Sequence, residues 1–322
     1  MPLFNAHPIA RTGAVFPGLL LLARSSRTQQ FMGHLAQRTA KSRASKKKKP
    51  VTKAPHIQED SDLVSWHAQL LKRAPLKHTP PPFERWHQFE QHASKELPAD
   101  LREKMERFAE LVMETNARMN LTSAASYQEL YSRHIADSLS LLPFFARSSA
   151  ASSSSFPSSS SSSGSSSHGA GSASSVEEEA ARARGGGGGG GGRVRVLDVG
   201  TGGGLPGVVL ASAMPATCHV TCVDSVQRKV SFVSVVARVL PLPNLLALHS
   251  RVEALQESRD HRGQYTWVVA RAVADLSTLV QWAAPLLADT EEGGLLAMKG
   301  DNVRGDLERA RLMVCAAGME VV

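Results

Sequence analysis

The sequence predicts an α/β protein: a parallel sheet covered by helices on both faces, joined through a low-complexity segment to a helical N-terminal region. Three observations predict it. From residue 193 onward, short β-branched runs alternate with helical stretches, the pattern of right-handed βαβ units. From residue 59 to 147 the only periodicity is helical. Between the two, residues 148–175 hold 18 serines in 28 positions and Gly185 to Gly192 is an unbroken run of eight glycines. That composition buries too little apolar surface to offset the entropy of ordering, so 148–192 reads as a disordered insertion.

Residues 1–58 carry 11 Lys+Arg and no acid, the first being Glu59. An acid-free start bearing Arg, Ser and Thr, with one short apolar stretch from Val15 to Ala23, has the composition of a transit peptide, disordered and outside the fold. A chloroplast is preferred to a mitochondrion as its destination. The alternative is a basic arm that stays attached and touches RNA in a cytoplasmic protein. Nine apolar residues cannot span a bilayer, so no membrane association is expected. The chain's net charge of +8 therefore sits in the leader: residues 59–147 hold 11 basic against 13 acidic residues, and 193–322 hold 13 of each. Composition otherwise is that of a globular protein, with 42% hydrophobic residues, which excludes collagen-like and disulfide-scaffold classes. Three cysteines without a C-x-x-C pair argue against a disulfide framework and against a zinc site.

In the helical region, Leu101, Met105, Phe108, Leu111 and Val112 recur at three- and four-residue spacing, predicting a helix over 98–118. A second helix is predicted from about 127 to 145. Within it His134 and Asp137 are i and i+3, on one face, where they form either an oriented imidazole–carboxylate pair or an ordinary structural ion pair. After the insertion, strands are predicted at 194–199, 220–224, 245–249, 267–271 and 295–299, a helix at 302–317, and at 319–322 the opening of a sixth strand left incomplete.

The most informative stretch is Leu197-Asp-Val-Gly-Thr-Gly-Gly-Gly-Leu-Pro-Gly207, a strand entering a glycine-rich turn and then a helix. Glycines there let the backbone turn sharply and let a ligand approach. Three details favour S-adenosyl-L-methionine over a dinucleotide. Asp198 ends the strand, where a carboxylate repels a pyrophosphate but suits a sulfonium ligand with an amino group. The third glycine slot of G-x-G-x-x-G, counted from Gly200 and Gly202, holds Leu205. Asp224 ends the next strand, where an acid can accept both ribose hydroxyls. Because ligands in such sheets bind at the carboxyl ends of strands, Val252 and Glu253 after the third strand, Arg271 at the end of the fourth and Lys299 at the end of the fifth are further candidates.

The ordered motifs Asn120-Leu-Thr-Ser123, Arg133-His-Ile-Ala-Asp-Ser138, the glycine loop, Asp224-Ser-Val-Gln-Arg-Lys229, Ser250-Arg-Val-Glu253, Ala270-Arg-Ala272 and Met298-Lys-Gly300 resemble the RsmG/GidB family. The resemblance covers roughly residues 83–147 and 193–302. It implies a Rossmann-like class I methyltransferase sheet with a helical N-terminal extension, S-adenosylmethionine as cofactor, and N7 of a guanine in small-subunit (16S-type) ribosomal RNA as the methyl acceptor. Asp198, Gly200, Gly202, Gly204, Leu205, Asp224, Val252, Glu253 and Arg271 fall on the cofactor side. Asn120, His134, Asp137 and Lys299 fall on motif positions that resemble the substrate side, and Arg271 is expected to serve both. Departures are visible: the usual G-T-G-P-G reads Gly200-Thr-Gly-Gly-Gly204, the usual F-D-x-V reads Tyr265-Thr-Trp-Val268 with Ala270 in place of a serine, and the domain of residues 193–322 stops before the antiparallel strand pair that closes such sheets, a C-terminal truncation. The implied partner is small-subunit rRNA, not DNA, and the protein is expected to act as a monomer. Guanine N7 loses no proton on methylation, so the expected roles are orientation: Asp137 orienting the base, Arg271 and Lys299 holding phosphate or the O6 edge, and His134 shaping the pocket. A ribosome-assembly or RNA-binding protein without activity, a small-molecule methyltransferase and an NAD-dependent oxidoreductase are the rival readings, the last disfavoured by Asp198 and Leu205.

Overall fold

A computed structural model describes residues 19–24, 86, 97–145, 194–290, 293–299 and 303–321. The Ser/Gly insertion lies outside the described residues. The sheet has seven strands: β1 (Leu19–Arg24), β2 (Arg195–Val199), β3 (His219–Asp224), β4 (Leu245–His249), β5 (Trp267–Arg271), β6 (Gly294–Met298) and β7 (Met319–Val321). Their spatial order is β4-β3-β2-β5-β6-β1-β7. Strands β4, β3, β2, β5 and β6 are mutually parallel, and the chain reverses direction in space beside β2, between β3 and β5. That reversal leaves a crevice at the carboxyl ends of the strands. The five parallel strands agree with the sequence expectation to within a residue at each end; β2, β3, β5 and β6 are largely buried runs, as parallel strands covered on both faces are, whereas the edge strand β4 leaves Leu246 exposed.

Two helical layers cover the sheet. On one face α4 (Gly207–Ala213) and α5 (Gln227–Val239) pack with the N-terminal helix α1 (Leu101–Asn116), so that Met105, Phe108, Val208, Phe232 and Val236 share one core. On the other, α6 (Val252–Glu257), α7 (Leu276–Ala283) and α8 (Val303–Ala316) bury Leu255, Leu279, Val280 and Val314 against Val268 and Leu295. The apolar stripe read in the sequence is thus the buried stripe of α1, including Leu101, Met105, Phe108, Leu111 and Val112. Helix α7 starts where the Asp275 carboxylate accepts from Thr278 N–H at 3.0 Å, a cap worth about 1 kcal/mol.

Two sequence expectations need correction. The helix expected over 127–145 is not uniform: α2 (Tyr127–Glu129) widens into a π-helical segment, Leu130–Ile135, returns to α-helix as α3 (Ala136–Leu139) and turns at Ser140 and Leu141. Apolar spacing near 3.6 cannot distinguish a π turn from an α turn over six residues. Second, the leader is not outside the fold throughout. Leu19–Arg24 forms β1, antiparallel to both β6 and β7, with Leu20 and Leu22 in one core and Leu19 and Leu21 packed against the other. Four consecutive leucines carry no period-2 alternation, so nothing in the pattern marked them as a strand. Residues 319–321 do form a strand, and it pairs with β1.

Candidate functional site

A cleft of about 500 Å³ opens at the carboxyl ends of the parallel strands, within the size range of small-molecule sites. Its floor is the β2–α4 loop, where Gly200, Gly202 and Gly204 have φ of 67°, 55° and 87°, values that favour glycine. One wall carries Asp224 and Lys229, another Arg251, Val252 and Glu253, a third Arg271, Ala272 and Val273. The helical layer closes it with Leu121, Thr122, Ser123 and His134.

The loop is held from behind and from the side. Asp198 is fully buried, and its Oδ2 accepts from Thr201 Oγ1 at 2.6 Å and from Gly207 N–H at 2.9 Å. It lies behind the loop rather than in the cleft, so it anchors the turn instead of facing a ligand's amino group as the sequence suggested. Its second oxygen, Oδ1, has no hydrogen-bond partner among the described residues, and burial pushes the carboxyl up to about 6. Asp224 does reach the cleft. Its Oδ2 accepts from Gly202 N–H at 3.1 Å and its Oδ1 from Val226 N–H at 2.9 Å, leaving the outer lone pairs of a fixed carboxylate available to hydroxyl donors. Gly204 sits against Val208 and Phe108, where a Cβ would come within 2.5 Å of the valine. Its role is packing. Gly200, Gly202, Leu205, Val252 and Glu253 all line the cleft.

On the helical side, His134 and Asp137 do not pair with each other. The Arg271 guanidinium donates to Asp137 Oδ2 at 3.1 Å, to the Arg133 carbonyl at 2.7 Å and to the His134 carbonyl at 3.3 Å. The fork thereby ties the tip of β5 to the end of the π segment. Burial raises the Asp137 carboxyl to about 6 against the opposing pull of Arg271, and burial lowers Arg271. The His134 ring faces the cleft with Nε2 3.4 Å from Thr122 Oγ1. Burial first, and the Arg271 charge second, lower its pKa to about 4, so the ring is neutral at physiological pH.

Asp137 is buried and outside the lining, its carboxylate taken up by Arg271, so it braces the wall instead of facing a base as the sequence suggested; two more expected residues lie elsewhere. Asn120 is exposed and outside the lining; the residue that builds its loop is Asn116, whose Oδ1 accepts from Leu121 N–H at 2.7 Å and Thr122 N–H at 3.0 Å. Sequence reading missed Asn116 because it ends a helix and belongs to no motif. Lys299 also lies outside the lining. Its Nζ donates to the Ala274 carbonyl at 2.7 Å and pairs with Asp306 at 3.1 Å, fastening the β5–α7 loop to α8. Ala272, the last residue of the Ala270-Arg-Ala272 motif, lines the cleft at φ 50°, and Trp282 lines it without any sequence signal. Among the described residues no cluster of His, Cys, Asp or Glu suited to a metal ion occurs, and no helix is long and apolar enough to cross a membrane.

Comparison with known proteins adds a family. The family model described as rRNA small subunit methyltransferase G matches residues 101–152 and 190–322. The ribosomal RNA small subunit methyltransferase G of Bordetella pertussis is 35% identical over 207 residues, 63% of this chain and 70% of the relative. Its counterpart in Leptothrix cholodnii is 45% identical over 115 residues, 36% of this chain and 49% of the relative, and that in Polaromonas naphthalenivorans 44% over 113 residues, 35% and 47%. The match spans about half the length of the last two.

Proposed function

We propose that this chain, which belongs to the rRNA small subunit methyltransferase G family, transfers a methyl group from S-adenosylmethionine to N7 of a guanine in small-subunit ribosomal RNA. The observation that carries the reading is the cleft itself: a glycine turn fixed by two carboxylates, open to a helical wall that presents a neutral imidazole. The residues present fit the cofactor. Gly200, Gly202 and Leu205 would lie along it, Asp224 would accept its ribose hydroxyls, and Val252 and Glu253 would flank the adenine. When bound, S-adenosylmethionine supplies an electrophilic methyl group on a sulfonium sulfur. Transfer to N7 would form a C–N bond at the cost of the C–S bond and release no proton from the base, so no residue of the chain need act as a general base.

The chain's own work is placement. Holding N7 in line with the methyl group and excluding water can lower the barrier by up to ~7–11 kcal/mol. Because the donor sulfonium and the methylated base are both cationic, a cationic imidazole in this cleft would oppose the reaction. The burial that lowers His134 to about 4 keeps it neutral, in keeping with a shaping role. Arg271 is occupied by Asp137 and two carbonyls and Lys299 by Asp306, so the phosphate contacts pass to Lys229 and Arg251, which line the cleft without a partner carboxylate among the described ion pairs. The leader's composition supports an organellar substrate, in a chloroplast ahead of a mitochondrion; a fluorescent fusion of the full chain seen only in the cytoplasm would remove that part.

The decisive experiment incubates the full chain with methyl-labelled S-adenosylmethionine and unmodified 16S-type rRNA, then digests the RNA to nucleosides. Labelled N7-methylguanosine is expected. Tight cofactor binding without any labelled nucleoside would overturn the catalytic reading in favour of an RNA-binding assembly protein.

A further inference from the structure

Three consecutive residues after β5 are each held from a different direction. The Ala272 N–H donates to the Met298 carbonyl at 3.3 Å. The Val273 side chain lies on the glycine turn, where a Cβ on Gly200 would come within 2.7 Å of both of its methyl carbons. The Ala274 carbonyl accepts from Lys299 Nζ at 2.7 Å. The bend they form is strained. Ala272 has φ 50°, a left-handed value that a residue with a Cβ adopts at a cost and keeps only where its surroundings over-determine it. Ala272 and Val273 are exposed and line the cleft. Lys299 does not line it; its side chain is only 13% exposed and its charge is met by Asp306 of α8 at 3.1 Å. Arg309 meets the same carboxylate from within α8, which fixes the anchor.

We infer that Lys299 is a positioning residue for the cofactor: pinned by Asp306, it holds the Ala274 carbonyl and so keeps the strained Ala272–Val273 bend seated on the glycine turn. The inference rests on the reading of the cleft as the S-adenosylmethionine site. A lysine that binds RNA phosphate needs an open path and a free charge, whereas this one is enclosed and paired. An ammonium suits the brace, because its three donors can serve a carbonyl and a carboxylate at once, as they do here. Without it the positive φ at Ala272 loses one of its three restraints. The bend then relaxes, and Val273 moves off Gly200 at the wall against which the cofactor would lie.

The test uses the full chain and its variants Lys299→Met and Asp306→Asn. Hydrogen exchange is measured first, without cofactor. In Lys299→Met the bonded amides of Ala272, Thr278 and Leu279 should exchange at least about tenfold faster while β2 and β3 keep their protection. Calorimetry with S-adenosylmethionine should then show Kd raised about fivefold or more in Lys299→Met, and in the same direction in Asp306→Asn. The salt dependence of rRNA binding should be unchanged in both. A phosphate-binding Lys299 predicts the reverse: Lys299→Met would lower the slope of log K against log salt by about 0.7–0.9, and Asp306→Asn, by freeing the ammonium, would tighten RNA binding. Either of those results, unchanged exchange over 272–279, or an unchanged Kd where the parent does bind, overturns the inference. A parent that binds no S-adenosylmethionine removes the cofactor reading by itself, and the exchange measurement still decides whether Lys299 braces the bend.

Discussion

Asp198 and His134 titrate against the fold in opposite senses, and single substitutions separate them. Burial raises Asp198 to about 6 from an ordinary value near 4, so the folded state binds its proton more tightly than the unfolded chain does. Its contribution to stability is therefore complete below about pH 4 and lost as pH rises through 6. Asp198→Asn should flatten that part of the curve in urea titrations run from pH 7 to 4. His134 is lowered to about 4, so its contribution is present above pH 6.5 and lost as pH falls toward 4; His134→Gln should retain stability over that interval relative to the parent. A His134 ring signal that titrates in NMR near pH 6.5 would contradict the buried, neutral placement. Arg271 carries the largest single cost. Arg271→Ala leaves the buried Asp137 carboxylate and two carbonyls without their donor, so a loss of about 3 kcal/mol in denaturant unfolding is expected, with weaker cofactor binding by calorimetry.

At the scale of elements, the glycine turn depends on how closely α4 approaches β2 and β3. A Cβ at Gly207 would lie 2.2 Å from Cys222 Sγ and 2.7 Å from Asp198 Oδ2. Gly207→Ala should thus destabilise by about 1–3 kcal/mol through overpacking, and adding Cys222→Ala should restore part of it, measured as a double-mutant cycle. The same neighbourhood shows how far sequence reaches. The strands β2, β3 and β5 were legible because apolar runs ending in Asp198, Asp224 and Arg271 have few other readings. The placement of Asp198 was not, because a carboxylate behind a loop and one inside a cleft, as Asp224 is, look alike in a strand–turn pattern. The π segment and the Arg271 fork joining it to β5 were equally illegible: they depend on carbonyl directions, which no residue type encodes. The loop made by Asn116 falls in the same class, since its work is hydrogen bonding to Leu121 and Thr122 across a turn.

For the molecule as a whole, location of charge outweighs its total. The domain that carries the cleft balances 13 basic residues with 13 acidic ones, so the RNA binding proposed for it would have to come from a few placed cations rather than from a broad field. Arg251→Ala should weaken rRNA binding similarly for all sequences and lower the slope of log K against log salt by about 0.7–0.9; an unchanged slope would take Arg251 off the phosphate path. The leader's excess of 11 basic residues is plain in the composition, while the strand described within it was hidden in a run of leucine. That strand also fixes an order of events. Since β1 pairs with β6 and β7, the segment that leaves the ribosome early must wait for strands made near the far end of the described chain. Contacts of such high order are the slow ones in folding, so the sheet gains its final strand only after the cofactor cleft has its walls. The earliest-made part of the described body thus pairs with the latest-made.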